Sequence, residues 1–160
     1  MAPDIDLEEL TAFIVRAKAA TYVGSGKEAR SSRPGAHEIP YNEGRFEYLD
    51  SYVGGSNFLG QEIVTYDGNI VWAMNYHGYL LRPDLITAAE VGAIIKASLS
   101  VLYAEGRFLG GFEHAVDGDV HSVYSDANTG DVSRFTGTER IDRDGEQVYE
   151  LVYHGGLVRE

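Results

Sequence analysis

The sequence predicts an α+β fold in which about six antiparallel strands carry two helices packed on one face. Three observations lead to this prediction. Two stretches combine helical spacing of apolar residues with helix start and stop signals. Several shorter stretches alternate as strands do, and one long strand-forming stretch occurs twice. The repeated unit is one helix followed by three strands.

The repeat is visible without a gap. Phe58 to Leu81 aligns position by position with Phe135 to Val158, and ten of the 24 positions are identical. Average composition would give about one or two identities, so we expect an internal duplication. The pseudo-repeats would span about residues 4–81 and 85–158 of a single domain covering residues 1–160.

The first helix is expected from Asp4 to Ala20, capped by Asp4 or Asp6. Gly24 is its stop signal, and Phe13 lies at the edge of its apolar stripe. The stripe consists of Leu7, Leu10, Ile14 and Ala17.

The stretch from Gly24 to Glu43 is predicted to be irregular, and Arg45 to Val53 is predicted to be a strand. The hairpin follows with Asp67-Gly68 at its tip. Asp-Gly favours a type I′ turn, because both turn positions need positive φ.

The second half begins with Thr87 and Glu90, which form a capping-box pattern for a helix running to about Tyr103. Gly106 stops this helix, and Gly106 to Gly118 is predicted as loop or short strand. The buried face should hold Val91, Ile94, Ile95, Ser98 and Leu102. The expected strands are Val120 to Tyr124, then, after a turn at residues 128–130, Val132 to Asp142 and Gln147 to His154 around Asp144-Gly145.

Two-residue hairpin loops would place Glu62 and His77 on one face of the first hairpin and Trp72, Met74 and Tyr76 on the other. The shared face would pack against the helices, with Gly60 and Gly137 allowing close approach. The first hairpin is then apolar on both faces. Its second face could be covered by the rest of the chain, by another subunit or by a ligand.

Two groups of residues are candidates for function. Aromatic and thioether side chains with polar tips suit ligand pockets and interfaces. Repeated Glu and His residues suit acid–base chemistry or Zn²⁺ binding across the two repeats, although at the usual rise each Glu–His pair is about 13 Å apart within its own hairpin. The first group is Tyr48, Tyr52, Trp72, Met74 and Tyr76; the second is Glu62, His77, Glu139 and His154.

Composition narrows the function classes. The formal net charge of −12 disfavours a nucleic-acid surface or an anionic membrane, and there is no cysteine for thiolate metal sites. The N-terminus is acidic where a signal peptide would be basic. These features predict a cytoplasmic protein with no metal or other cofactor.

The run from Phe46 to Gly78 resembles a family of small uncharacterised bacterial domains. The most specific pieces are Asp50-Ser51-Tyr52-x-Gly54-Gly55, Phe58-x-Gly60-x-Glu62 and Val71-Trp72-x-Met74-x-Tyr76. In some relatives the domain follows an XRE-type helix-turn-helix region. The resemblance implies no established activity and no catalytic residues. We expect no such DNA-binding region here, because few residues precede the first helix.

Two functional hypotheses follow. The first is a stand-alone ligand-binding or interaction domain, with a homodimer as one form of that interaction. The second is a small, hydrolase-like enzyme, with or without a metal, that uses the repeated Glu and His residues. We favour binding, because no catalytic motif is present.

Overall fold

The computed structural model of this chain describes residues 4–24 and 26–159. Within them the chain forms two α-helices, one π-helical turn and eight strands. In chain order these are α1 (Leu7–Lys18), the π-turn (Ala19–Val23), β1 (His37–Glu43), β2 (Phe46–Gly54), β3 (Phe58–Tyr66), β4 (Asn69–Leu80), α2 (Ala88–Ala104), β5 (Phe112–Val116), β6 (Ser122–Asp131), β7 (Arg134–Arg143) and β8 (Glu146–Leu157).

The eight strands form one antiparallel sheet in the order β1-β2-β3-β4-β8-β7-β6-β5. Each half of the chain contributes four consecutive strands, and the halves join where β4 pairs with β8. At this junction Tyr76 lies opposite Tyr153. The predicted α+β class with an antiparallel sheet is confirmed.

The sheet has two strands more than predicted. Strand β1 lies within the stretch from Gly24 to Glu43 that we predicted to be irregular, and β5 lies within the stretch from Gly106 to Gly118 that we predicted as loop or short strand. Strand β1 is polar and contains Pro40, which is tolerated because this strand is at the sheet edge. Strand β6 also continues through Asn128 to Asp131, where we predicted a turn. Gly130 takes a φ of 90° there, so glycine allows the strand to bend without ending.

Helix α1 begins at Asp6, whose Oδ1 accepts hydrogen bonds from the amides of Glu8 and Glu9 at 2.8 and 3.1 Å. Its buried face is shifted from the prediction. Leu7 is exposed and Phe13 is fully buried. The Phe13 ring stacks on Phe46 of β2, with centroids 4.7 Å apart, and this aromatic contact moves the centre of the buried face.

Helix α2 agrees closely with its prediction. The capping box is present: Glu90 N–H donates to Thr87 Oγ1, and Thr87 N–H donates to Glu90 Oε2. All five predicted positions are buried, together with Leu99.

A β-bulge changes the predicted faces of the first hairpin. The turn has the expected positive φ at Asp67 and Gly68, but the register shifts by one residue between Val64 and Thr65. Beyond this bulge, strand β4 presents the opposite set of side chains. The prediction that Glu62 and His77 share a face was therefore wrong. The second hairpin has the same irregularity, between Ile141 and Asp142.

The buried side chains form one hydrophobic cluster with members from both helices and from the sheet. Three rings meet at its centre: Trp72 lies 5.9 Å from Phe135 and 6.0 Å from Phe108 between centroids. Trp72 Nε1 donates to the carbonyl oxygen of Val132 at 3.1 Å. Trp72, Met74 and Tyr76 are thus covered by the chain itself, whereas Leu59 and Ile70 are exposed.

Neither helix among the described residues has both the length and the apolar character needed to cross a bilayer.

Candidate functional site

A cavity of about 540 Å³ lies between the π-turn, the strands of the first half and the first turns of α2. Its volume is within the range of small-molecule sites. Its wall combines aromatic rings, glycine backbone and a few ionisable groups. Its lining includes Tyr22, His37, Asp50, Tyr52, Phe58, Tyr76, Gly92 and Lys96.

The π-turn gives one side of the cavity its shape. Thr21 and Tyr22 lie on this turn and line the cavity. Thr21 is buried, and its Oγ1 donates to the carbonyl oxygen of Ala17 at 2.8 Å. Single π-helical turns are rare in proteins, and where they occur they are often found at functional sites.

Asp50 is the central ionisable group of the cavity. Its side chain is 2% exposed, and Tyr76 Oη donates to its Oδ1 at 2.6 Å. Burial raises the pKa of Asp50 to about 7, and the nearby charge of Glu62 adds to this effect. The hydrogen bond from Tyr76 and the charge of Lys18 act in the opposite direction. This carboxyl can therefore change its protonation state near neutral pH.

Glu62 is adjacent to Asp50 on the sheet and forms a buried ion pair with Lys18. The two Glu62 oxygens are 2.8 and 2.6 Å from Lys18 Nζ, and both side chains are about nine-tenths buried or more. Lys18 extends from the last turn of α1 to reach this carboxylate. Such a pair is maintained because either partner alone would be an unpaired buried charge.

The second half contains a matching carboxyl pair. Tyr153 Oη donates to Asp126 Oδ1 at 2.7 Å, and Asn128 Nδ2 donates to Asp126 Oδ2 at 3.0 Å. Glu139 lies opposite Asp126 on the sheet. Burial and the charge of Asp126 raise the pKa of Glu139 to about 8. Burial also raises the pKa of Asp126.

Gly60 and Gly137 allow both tyrosines to reach their carboxyl groups. A Cβ on Gly60 would overlap the ring of Tyr76, and a Cβ on Gly137 would overlap the ring of Tyr153. These glycines accommodate cross-strand tyrosine rings, which corrects the expectation that they allow helix approach. Each tyrosine is paired with its glycine on the neighbouring strand, and its side chain crosses that glycine to reach the next strand of the sheet, β2 for Tyr76 and β6 for Tyr153.

The aromatic candidates divide into two groups. Tyr52 and Tyr76 line the cavity. Trp72 and Tyr48 are buried in the core. Met74 is also buried, with its Sδ 3.7 Å from Lys18 Nζ.

The polar candidates do not converge. Glu62 is buried and Glu139 is partly buried, whereas His77 and His154 are exposed. Each histidine follows a buried tyrosine along its strand, so it points to the other face of the sheet. The structure therefore brings neither histidine to the glutamates. In the described part of the chain no cluster of metal-ligating residues occurs.

Asp50, Asp126 and Lys18 were missed as site residues. A signal existed for the two aspartates, because Tyr48-x-Asp50 and Tyr124-x-Asp126 share one pattern. The gap-free alignment of the hairpins did not match them, because Asp126 precedes Glu139 by 13 positions whereas Asp50 precedes Glu62 by 12. Lys18 has no repeat partner: the same alignment, extended towards the N-terminus, places Ile95 opposite it.

One family model matches residues 50–158, which is more than half of the chain; its description is a domain of unknown function (DUF5680). No curated protein matches the chain significantly, and no solved structure does.

Proposed function

This chain belongs to the DUF5680 family of unknown function, and we propose that it is a small-molecule-binding domain. The binding site is the cavity containing Asp50 and Tyr76. The observation that carries the proposal is a buried, titratable carboxyl group on the wall of a cavity large enough for a ligand. Such groups are found preferentially at functional sites.

The energetics favour this interpretation over a purely structural role. A buried carboxyl group lowers stability unless it is paired. Glu62 has Lys18 as its ion-pair partner, whereas the hydrogen-bond partner of Asp50 among residues 4–24 and 26–159 is the neutral hydroxyl of Tyr76. An apolar residue at position 50 would support the sheet at lower cost. A ligand that contacts Asp50 gives a reason for retaining the carboxyl group.

Gly92 offers a direct test, because it lines the cavity from α2 and an added Cβ there would meet nothing within 4 Å. We would screen a fragment library of mixed charge by ligand-observed NMR. Fragments should bind wild type and Gly92→Ala, but not Gly92→Trp, whose indole would fill the cavity. An absence of binding fragments, or fragments that bind Gly92→Trp equally well, would contradict the proposal.

A second candidate function is a small hydrolase-like enzyme. It is favoured by the pKa of Asp50, about 7, because general acids and bases work best near the operating pH. In this alternative the candidate catalytic groups are Asp50 and Tyr76. They replace the candidates from the sequence, which were Glu62, His77, Glu139 and His154. A panel of chromogenic esters and phosphate esters tests it: activity should be lost in Asp50→Asn and retained in His77→Gln.

We propose further that the domain arose by duplication, with both helices covering the same face of the sheet. The matching Tyr-x-Asp pairs and the two bulges at equivalent positions support the duplication. The shared hydrophobic cluster supports the placement of the helices. Each repeat would then consist of one helix and four strands.

We propose that the protein acts in the cytoplasm and does not bind nucleic acid. Its net charge of −12 supports the absence of nucleic-acid binding.

A homodimer would use the outer face of the sheet instead of the Trp72 face. Leu59, His77 and Val152 are paired side by side there and are exposed. Light scattering on wild type and Leu59→Ser would test this.

A further inference from the structure

We infer that the ligand of this cavity carries a protonated amine, which binds to the carboxylate of Asp50. The inference rests on the proposed binding function and names the chemistry of the ligand. A primary ammonium group offers three donors and one positive charge. The cavity supplies an acceptor, an uncompensated negative charge and aromatic faces.

The carboxyl group has an unused acceptor. Tyr76 Oη donates to Oδ1 of Asp50, and this is the one side-chain hydrogen bond that the described residues make to the carboxyl group, so Oδ2 remains free to accept. Asp50 lies between Ile39 of β1 and Glu62 of β3 on the same sheet row, and neither neighbour can donate to it. A ligand donor would complete its hydrogen bonding.

Aromatic rings form much of the wall beside this carboxyl group. Tyr22, Tyr52, Phe58 and Tyr76 all line the cavity. The rings of Phe58 and Tyr76 meet edge to face at 6.0 Å between centroids. Aromatic faces attract cations, most strongly where water is excluded. Together with a carboxylate they form the usual environment for an organic ammonium ion.

The other charges near the cavity leave Asp50 available. Lys18 is held by both oxygens of Glu62, so this pair contributes little net charge. The His37 ring, which stacks on Tyr52 at 4.9 Å, contacts Glu28 through its Nδ1 at 2.5 Å. Lys96 is exposed, and its charge is screened by solvent. Among the described residues that line the cavity, Asp50 is therefore the buried carboxyl group with no cation bonded to it.

Binding of an amine should release a proton. The pKa of Asp50 is about 7 in the free protein, so near neutral pH part of the population carries a proton there. A bound ammonium group stabilises the carboxylate and lowers this pKa, and the proton passes to the buffer. Affinity should therefore increase from pH 6 to pH 8, because a simple amine with a pKa near 10 remains charged throughout.

Three probes of the same shape test the inference by isothermal titration calorimetry: phenethylamine, phenethyl alcohol and 3-phenylpropanoate. We expect the amine to bind about tenfold or more tightly than the alcohol, as a charged hydrogen bond requires, and the propanoate to bind most weakly. Asp50→Asn keeps the acceptor for Tyr76 but loses the charge. It should reduce binding of the amine about tenfold and leave binding of the alcohol unchanged.

Wild type alone provides a second measurement, which does not depend on a variant folding. Titrations with phenethylamine at pH 7 in phosphate and in HEPES should give different heats. Binding should release about half a proton to the buffer, as expected for a group that titrates near pH 7, and the two buffers take up a proton with different enthalpies. Equal heats, equal binding of amine and alcohol, or no binding of the amine at millimolar concentration would overturn the inference.

The two failures can be distinguished. If neutral or acidic fragments bind wild type but not Gly92→Trp, and amines show no preference, the ligand class is wrong and the binding function remains. If no fragment of any charge binds in a Gly92-dependent way, both proposals fail.

Discussion

At the scale of single residues, the buried ion pair of Lys18 and Glu62 joins α1 to β3. Both oxygens of Glu62 contact the ammonium group, and the surrounding side chains exclude water. The attraction between the two charges offsets part of the cost of removing both from water, and loss of one partner would leave an unpaired buried charge. Each partner is therefore necessary chiefly because the other is present.

Lys18→Met should lower the free energy of unfolding by about 3 kcal/mol, since it leaves Glu62 as an unpaired buried carboxyl group. The double variant Lys18→Met, Glu62→Gln should recover much of this loss. Urea unfolding monitored by circular dichroism measures both. Lys96→Met is the matched control, because Lys96 is exposed, and it should have little effect. If the double variant is no more stable than Lys18→Met alone, the ion pair is not the reason for the loss.

The same scale shows what a sequence can hide. Asp50 occupies an ordinary strand position, and only the structure shows it 2% exposed and beside Glu62. The Tyr-x-Asp match between the halves was readable in the sequence. The raised pKa of the carboxyl group was not readable, because burial and neighbouring charge depend on the folded arrangement.

At the scale of elements, the start of α2 is determined locally. The capping box brings together Thr87 and Glu90, and Glu90 Oε1 also accepts a bond from Arg143 Nη1 at 3.1 Å. The helix start is thus linked to the end of β7. All the local signals for this helix lie within three residues of one another, which is why its N-terminus was predicted correctly.

Thr87→Ala should destabilise the protein by about 1 kcal/mol, because it removes the side-chain acceptor for the amide of Glu90. Thr87→Ser retains that acceptor and should remain within a few tenths of a kcal/mol of wild type. Thermal unfolding followed at 222 nm compares the two. Equal melting temperatures for Thr87→Ala and Thr87→Ser would show that the capping bond does not contribute.

Strands were harder to predict than helices. The turn at Asp67-Gly68 was predicted correctly, yet the faces of β4 were not, because a bulge at Val71 puts one extra residue in β4 opposite Val64 and Thr65. A shift of one residue exchanges every side chain between the faces. Simple alternation placed Trp72 and Glu62 on different faces of the hairpin. The bulge puts both on the same face.

At the scale of the whole molecule, one buried region contains several carboxyl groups and few cations. Burial raises the pKa values of Asp50, Asp126 and Glu139. In the second half the alignment places no lysine at the position of Lys18, and the raised pKa of Glu139, about 8, favours its protonated form at neutral pH. The stability of the molecule should therefore respond to pH through these groups.

The free energy of unfolding should decrease as pH rises from about 5 to about 8. In this range the folded protein retains protons on Asp50 and Glu139, with pKa values of about 7 and 8, that the unfolded chain has already released near pH 4. The unfolded state then binds fewer protons, so the slope of stability against pH is negative. Urea unfolding at half-unit pH intervals measures it.

Glu139→Gln is the matched variant for this prediction. It has nearly the same shape and cannot ionise, so its stability should fall less steeply between pH 6 and pH 8 than that of wild type. Glu105→Gln, at an exposed position after α2, should retain the wild-type slope. Identical slopes for wild type and Glu139→Gln would show that Glu139 does not hold a proton in the folded state.

The start of α2, the Asp-Gly turns, the α+β class and the sequence match between the two hairpins could be read from the sequence, which left the cap of α1 open between Asp4 and Asp6. The local features depend on contacts within a few residues, and the match depends on direct comparison of one stretch with another. The face of each β4 side chain, the burial of Trp72, and the meeting of Asp50, Glu62 and Lys18 depend on the folded arrangement. The physical reason is distance along the chain: Lys18 lies on α1 and Glu62 on β3, and no local preference specifies their contact. It follows from the bulged register of the sheet and the closing of α1 over it.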